Sequence, residues 1–124
     1  MILDAGGLLA VERAHRDTVA LIKDELSRGH VPLTHGGVVG QVWRGGSGRQ
    51  ANLARLLPAL DIAPLDAALG RRAGLLLGRA RQEDAVDAAL VLLASDGDLV
   101  LTSDAGHLSQ LAAVAGLHVD IVAV

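Results

Sequence analysis

Short β-like apolar runs alternate with longer helical stripes along the whole of this chain, and that rhythm restricts the fold more than any single residue does. The β-like runs cover residues 1–5, 30–34, 60–63, 99–102 and 118–122. Helical patterns cover 8–14, 18–27, 38–44, 49–57, 65–79, 83–94 and 105–113. In 18–27 the apolar stripe is Val19, Leu21, Ile22 and Leu26, and Gly29 ends it. Strands alternating with helices predict an α/β domain whose parallel sheet is covered on both faces. Strands in such a sheet are buried and need not alternate polar with apolar. Pro32 puts the second run near a sheet edge or at a strand start. Gly6–Gly7 reads as a turn after the first run, and the glycine-rich stretch 45–48 as a loop. A length of 124 residues fits a single domain, 1–124.

Composition removes several function classes. Hydrophobic residues make up 51% of the chain, enough for a core and too many for disorder. There is no cysteine, hence no disulfide, thiol nucleophile or cysteine-ligated metal. Trp43 is the sole aromatic residue, so no platform for stacking bases can be built. The core must be Leu, Val, Ile and Ala. A net charge of −3 excludes a uniformly basic coat but permits a local basic patch. All 11 basic residues except Lys23 are Arg. The longest strictly apolar run, 88–94, is far short of the roughly 18 residues of a membrane span. The N-terminal segment carries Asp4 and Glu12 and lacks the basic start of a signal peptide. The expected compartment is the cytoplasm, with no membrane contact.

Open parallel sheets bind ligands beyond the carboxyl ends of their strands. Asp4 ends the first β-like run, and Ser103 and Asp104 end the fourth. Asp84 and Asp87 open the helix that precedes the fourth run, three residues apart and so on one helix face. Asp87 has Val86, Ala88, Ala89 and Leu90 around it, costly surroundings for an unpaired carboxylate. Four carboxylates converging on one sheet edge repel, and a hard divalent cation resolves the repulsion. Each acid also has a plain structural reading. Asp84 and Asp104 suit helix N-caps, and Asp4 suits an Asx turn. Asp66 likewise favours the start of the helix over 65–79. The phosphate-loop pattern G-x-x-x-x-G-K-[ST] is absent. His15, His30, His35, His107 and His118 show no metal spacing and read as surface or loop residues. His107, three residues after Asp104, is the one with a possible place at the rim of the site.

Three blocks resemble the PIN-domain family, and small actinobacterial-type VapC toxins in particular. They are Ile2-Leu3-Asp4-Ala5, Asp84-Ala85-Val86-Asp87-Ala88-Ala89, and Leu101-Thr102-Ser103-Asp104 with Leu108. The segment Val38-Val39-Gly40-Gln41-Val42-Trp43-Arg44 resembles a fourth block, with Gln41 where the family carries a second acid. The resemblance spans essentially the whole chain. It implies a three-layer α/β/α fold with about five parallel strands in the order 3-2-1-4-5. It implies a metal-dependent ribonuclease in which Asp4, Asp87 and Asp104 hold Mg²⁺ or Mn²⁺. Asp84 joins them as a further catalytic acid, and Gln41 and Ser103 are hydrogen-bonding supports. It also implies an RNA substrate, a cognate antitoxin that blocks the site, and a homodimer.

Arg44 and Arg49 flank the glycine loop, and Arg81 precedes Asp84; these are the arginines expected to meet RNA phosphates. Trp43 is expected to anchor the core or a dimer interface. The expected activity is therefore endoribonuclease cleavage by the toxin of a VapBC-type pair. The alternative is a non-catalytic PIN-like domain, its metal site weakened by Gln41, that binds RNA or protein. A phosphatase or receiver-like α/β protein is a further alternative, disfavoured by the missing second Asp and by the position of Lys23.

Overall fold

The computed structural model describes every residue except Gly46, so that part of the expected 45–48 loop lies outside the described residues. The strands are β1 (Ile2–Leu3), β2 (Leu33–His35), β3 (Asp61–Ala63), β4 (Leu99–Thr102) and β5 (Asp120–Ala123). They form one sheet in the order β3-β2-β1-β4-β5, and every pairing is parallel. The helices among the described residues are α1 (Ala5–Glu12), α2 (Arg16–Ser27), α3 (Gly36–Val42), α4 (Ala51–Leu56), α5 (Ala67–Ala80), α6 (Ala85–Leu92) and α7 (Ala105–Ala115).

Chain order explains the layers. From β1 to β3 the chain steps outward in one direction; β4 then returns beside β1, and β5 steps the other way. Right-handed crossovers running in opposite directions place their helices on opposite faces. Accordingly α1 packs with α2, α3 and α4, while α5, α6 and α7 pack with one another. The direction reverses between β1 and β4, and the crevice beyond that pair is where an open α/β sheet binds ligands.

A core without Phe or Tyr is filled by aliphatic side chains and close helix approach. Leu3, Leu8, Leu53, Leu90, Leu101, Leu108 and Leu111 are completely buried. Ala73, Ala88, Ala89 and Ala112 are buried on α5, α6 and α7, where small side chains let those helices approach one another. Trp43 is partly buried and packs against this core.

One local expectation is corrected. Gly6–Gly7 is not a turn: α1 starts at Ala5, directly after β1, and includes both glycines. A Cβ on Gly6 would lie 2.7 Å from the Ser103 backbone nitrogen, and one on Gly7 would lie 3.1 Å from the Leu101 carbonyl. The glycines serve the close approach of α1 to β4. Pro32 stands at a strand start, as expected, directly before β2, which is an interior strand, and its carbonyl accepts from Asp61 N at 2.9 Å.

Candidate metal centre

The register of the central strands builds the site. Leu3 pairs with Leu101, so the next residues, Asp4 and Thr102, face each other at the carboxyl ends of β1 and β4. Asp4 is 5% exposed. Its Oδ1 accepts from Gly7 N at 2.9 Å and caps α1, and its Oδ2 accepts from the buried Thr102 hydroxyl. The same Thr102 oxygen accepts from Asp104 N at 2.8 Å. One hydroxyl thus ties the first aspartate to the backbone of the last. Sequence reasoning gave this supporting role to Ser103. The structure gives it to Thr102; Ser103 is exposed and lies against Gly6.

The other acids also cap helices. Asp84 Oδ1 accepts from Asp87 N at 3.0 Å at the start of α6, and Asp104 Oδ1 accepts from His107 N at 3.3 Å at the start of α7. Both are exposed, with one carboxylate oxygen used by the cap. Three helix N-termini therefore open on the carboxylates around the β1–β4 crevice, and their partial positive charge partly offsets the acids. Asp66 caps α5 in the same way.

Asp87 caps nothing. It stands within the first turn of α6 with a side chain 19% exposed. Its carboxyl is pushed up to about 6, chiefly by burial and then by the charge of Asp84. His107 opposes that rise, while Asp4 and Asp104 add to it. The four aspartates singled out from sequence thus share one electrostatic neighbourhood centred on Asp87. The side chains that come together most tightly are Asp84, Asp87 and His107, whose ligand atoms all lie within 4.8 Å of one another. His107 Nε2 is 3.4 Å from Asp87 Oδ2, yet it is buried and has no hydrogen-bond partner. Two carboxylates and an imidazole nitrogen without a hydrogen bond are a donor set that fits a divalent cation. His107 was the weakest of the sequence candidates; its spacing of three from Asp104 was the only signal.

His35 was misjudged. Expected at the surface, it is completely buried. Its Nδ1 accepts from Gly37 N at 3.0 Å, so its Nε2 carries the proton and donates to the Val86 carbonyl at 2.8 Å. It ties the end of β2 to the first turn of α6, one residue before Asp87.

No hydrogen bond or ion pair among the described residues joins the remaining candidates to this cluster. Gln41 is exposed on α3, and its side chain makes no hydrogen bond among the described residues. Arg44 is exposed and its guanidinium donates to the Gly40 and Trp43 carbonyls at 3.1 and 2.7 Å. Arg49 is exposed in a 3-10 turn, Gly48–Gln50. Arg81 is exposed and ends α5 in the left-handed conformation.

Gly6→Ala tests the tight contact between α1 and the residues that lead into Asp104. The added methyl must displace Ser103, including its backbone, so a loss of about 1–3 kcal/mol is expected. Urea denaturation measures it. Unchanged stability would mean that the Ser103 segment yields freely and that the glycine is not required.

No protein-family model matches the chain, and no curated protein does. Among solved structures, a chain in the crystal structure of VapBC2 from Rickettsia felis, bound to a DNA fragment from their promoter, is similar with a TM-score of 0.70. It is 12% identical in sequence, and the match covers 98% of this chain and 97% of that one. Identity at that level speaks for the fold alone, and the fold, with its five parallel strands in the order 3-2-1-4-5 between two layers of helices, is PIN-like.

Proposed function

We propose that this chain is a metal-dependent endoribonuclease, the toxin of a VapBC-type toxin–antitoxin pair acting in the cytoplasm. The observation that carries the reading is the neighbourhood of Asp87. A half-buried carboxylate is held beside Asp84 and His107, within reach of the charges of Asp4 and Asp104, near the point where the sheet reverses direction. Nothing in helix capping requires Asp87 to be an acid. A cation does.

Asp4, Asp84, Asp87 and Asp104 would hold Mg²⁺ or Mn²⁺, and Gln41 in place of a further acid leaves that set one negative charge poorer. When bound, the cation supplies charge neutralisation and an activated water for attack at phosphorus. The chain's own contribution is position. Thr102 fixes Asp4 and the Asp104 backbone together, and His35 fixes the turn that carries Asp87. The N-termini of α1, α6 and α7 favour an anionic phosphodiester over a neutral molecule at this edge. Arg44, Arg49 and Arg81 are exposed and are proposed to meet RNA phosphates. The proposed partners are a cognate antitoxin and a second copy of the chain.

The test is cleavage of structured RNA by the purified protein with Mn²⁺ or Mg²⁺, before and after EDTA. Cleavage is expected only with the cation and is expected to return when Mn²⁺ is restored. RNA binding without cutting at any cation concentration would favour the second reading, a binding domain in which the exposed Gln41 marks a weakened site. Cutting that survives EDTA would overturn both the metal and the roles given to the aspartates.

A further inference from the structure

We infer that His107 supplies a nitrogen ligand to the divalent cation beside Asp84 and Asp87, and that this nitrogen sets a preference for Mn²⁺ over Mg²⁺. The inference rests on the metal-dependent reading above and adds a residue and a selectivity to it.

The geometry of His107 carries it. The imidazole sits one turn into α7, its backbone N–H held by Asp104 at 3.3 Å. Its Nε2 is out of solvent and lacks a hydrogen-bond partner, although Asp87 Oδ2 is only 3.4 Å away. An imidazole placed there to share a proton with Asp87 would be aligned with it. A buried ring nitrogen without a partner costs about 1–3 kcal/mol, and a cation in front of it removes that penalty. The spacing fits as well. Ligands on one octahedral ion with bonds of about 2.1 Å lie roughly 3–4 Å apart, and the three donor atoms here lie within 4.8 Å of one another. Asp84 uses one carboxylate oxygen for its helix cap, which leaves the other for the ion.

Donor chemistry then gives the selectivity. Carboxylate and water ligands suit Mg²⁺ and Mn²⁺ alike, whereas imidazole nitrogen favours transition metals. A set of two carboxylates and one imidazole therefore discriminates where an all-carboxylate set does not.

The experiment is pulsed EPR on the Mn²⁺-loaded full chain, with calorimetric titrations of Mn²⁺ and Mg²⁺. The proteins compared are wild type, His107→Gln, His107→Ala and Asp87→Asn, and thermal melts establish that each variant is folded. Wild type is expected to show ¹⁴N coupling to Mn²⁺, absent in both His107 variants. Mn²⁺ affinity is expected to fall at least about tenfold in those variants, and Mg²⁺ affinity by less than about threefold. Mn²⁺ that binds wild type, is lost in Asp87→Asn and shows no nitrogen coupling would overturn the inference and leave the metal reading standing. Nitrogen coupling with equal losses for both ions would overturn the selectivity. No Mn²⁺ binding by wild type would overturn the inference and the metal reading together.

Discussion

Asp87→Asn is expected to raise the melting temperature of the metal-free protein by several degrees at pH 7.5, while abolishing Mn²⁺ binding and RNA cleavage. The opposite signs follow from one cause. Burial and the charge of Asp84 push the Asp87 carboxyl from 3.8 up to about 6. The folded protein therefore binds this proton more tightly than the unfolded chain does. From this group, stability is greatest below pH 4 and falls as pH rises to 6 and beyond. At 1.36 kcal/mol per pKa unit the charged form costs the fold at most about 3 kcal/mol, and residual solvent contact reduces that toward about 1. Asn keeps the shape and removes the charge, so the variant recovers that loss at pH 7.5 and matches wild type near pH 3.5. Saturating Mn²⁺ reverses the order, because only wild type gains the binding energy, about 2.7 kcal/mol at a hundredfold excess over Kd. Thermal melts at the two pH values, with and without Mn²⁺, read all of this. A metal-free variant that melts below wild type at pH 7.5 would make Asp87 a structural residue and remove the main support for a metal site.

The parts of this centre that were legible from sequence are those set by local rules. Asp4 and Asp104 stand where apolar runs stop, and a parallel sheet puts its ligands there. Asp84 followed by Asp87 is a helical spacing, and the apolar neighbours of Asp87 announce a carboxylate that needs a partner. Asp4, Asp84 and Asp104 turned out to be both helix caps and members of the acidic neighbourhood. For Asp84 and Asp104 a cap and a place among the acids are compatible, since the cap uses one carboxylate oxygen. What was not legible depends on contacts far apart in the chain. Thr102 reads as an ordinary strand residue until the Leu3–Leu101 register places it opposite Asp4. His107 faces Asp87 only because α6 and α7 pack together. His35 finds its carbonyl acceptor 51 residues away. Gly6–Gly7 was read by its commonest use, a turn, when the close approach of α1 to β4 required it. The strand order came from family resemblance; no periodicity in the chain encodes it.

His35→Ala is expected to be the most destabilising of the single substitutions considered, by about 3–5 kcal/mol, out of a total stability for such domains of about 5–15 kcal/mol. The substitution removes a completely buried ring and leaves a cavity. It also strands the Gly37 N–H, which the ring caps, and the Val86 carbonyl, which the ring holds. Two conservative variants separate the bonds. The Asn side-chain oxygen can take the place of Nδ1 and keep the cap, but Asn is too short to reach Val86. The Gln side-chain nitrogen can take the place of Nε2 and keep the tie to α6, but Gln loses the cap. If the Val86 bond is what places Asp87, His35→Asn should lose Mn²⁺ affinity and cleavage by about tenfold or more, beyond its loss of stability, because small errors in position are costly at a reacting centre. His35→Gln should retain both better, even where the two variants are equally destabilised in urea. Equal activity in the two would show that His35 supports the fold and does not position Asp87. A stable His35→Ala protein would mean that water replaces both bonds, and the buried imidazole would then need another explanation.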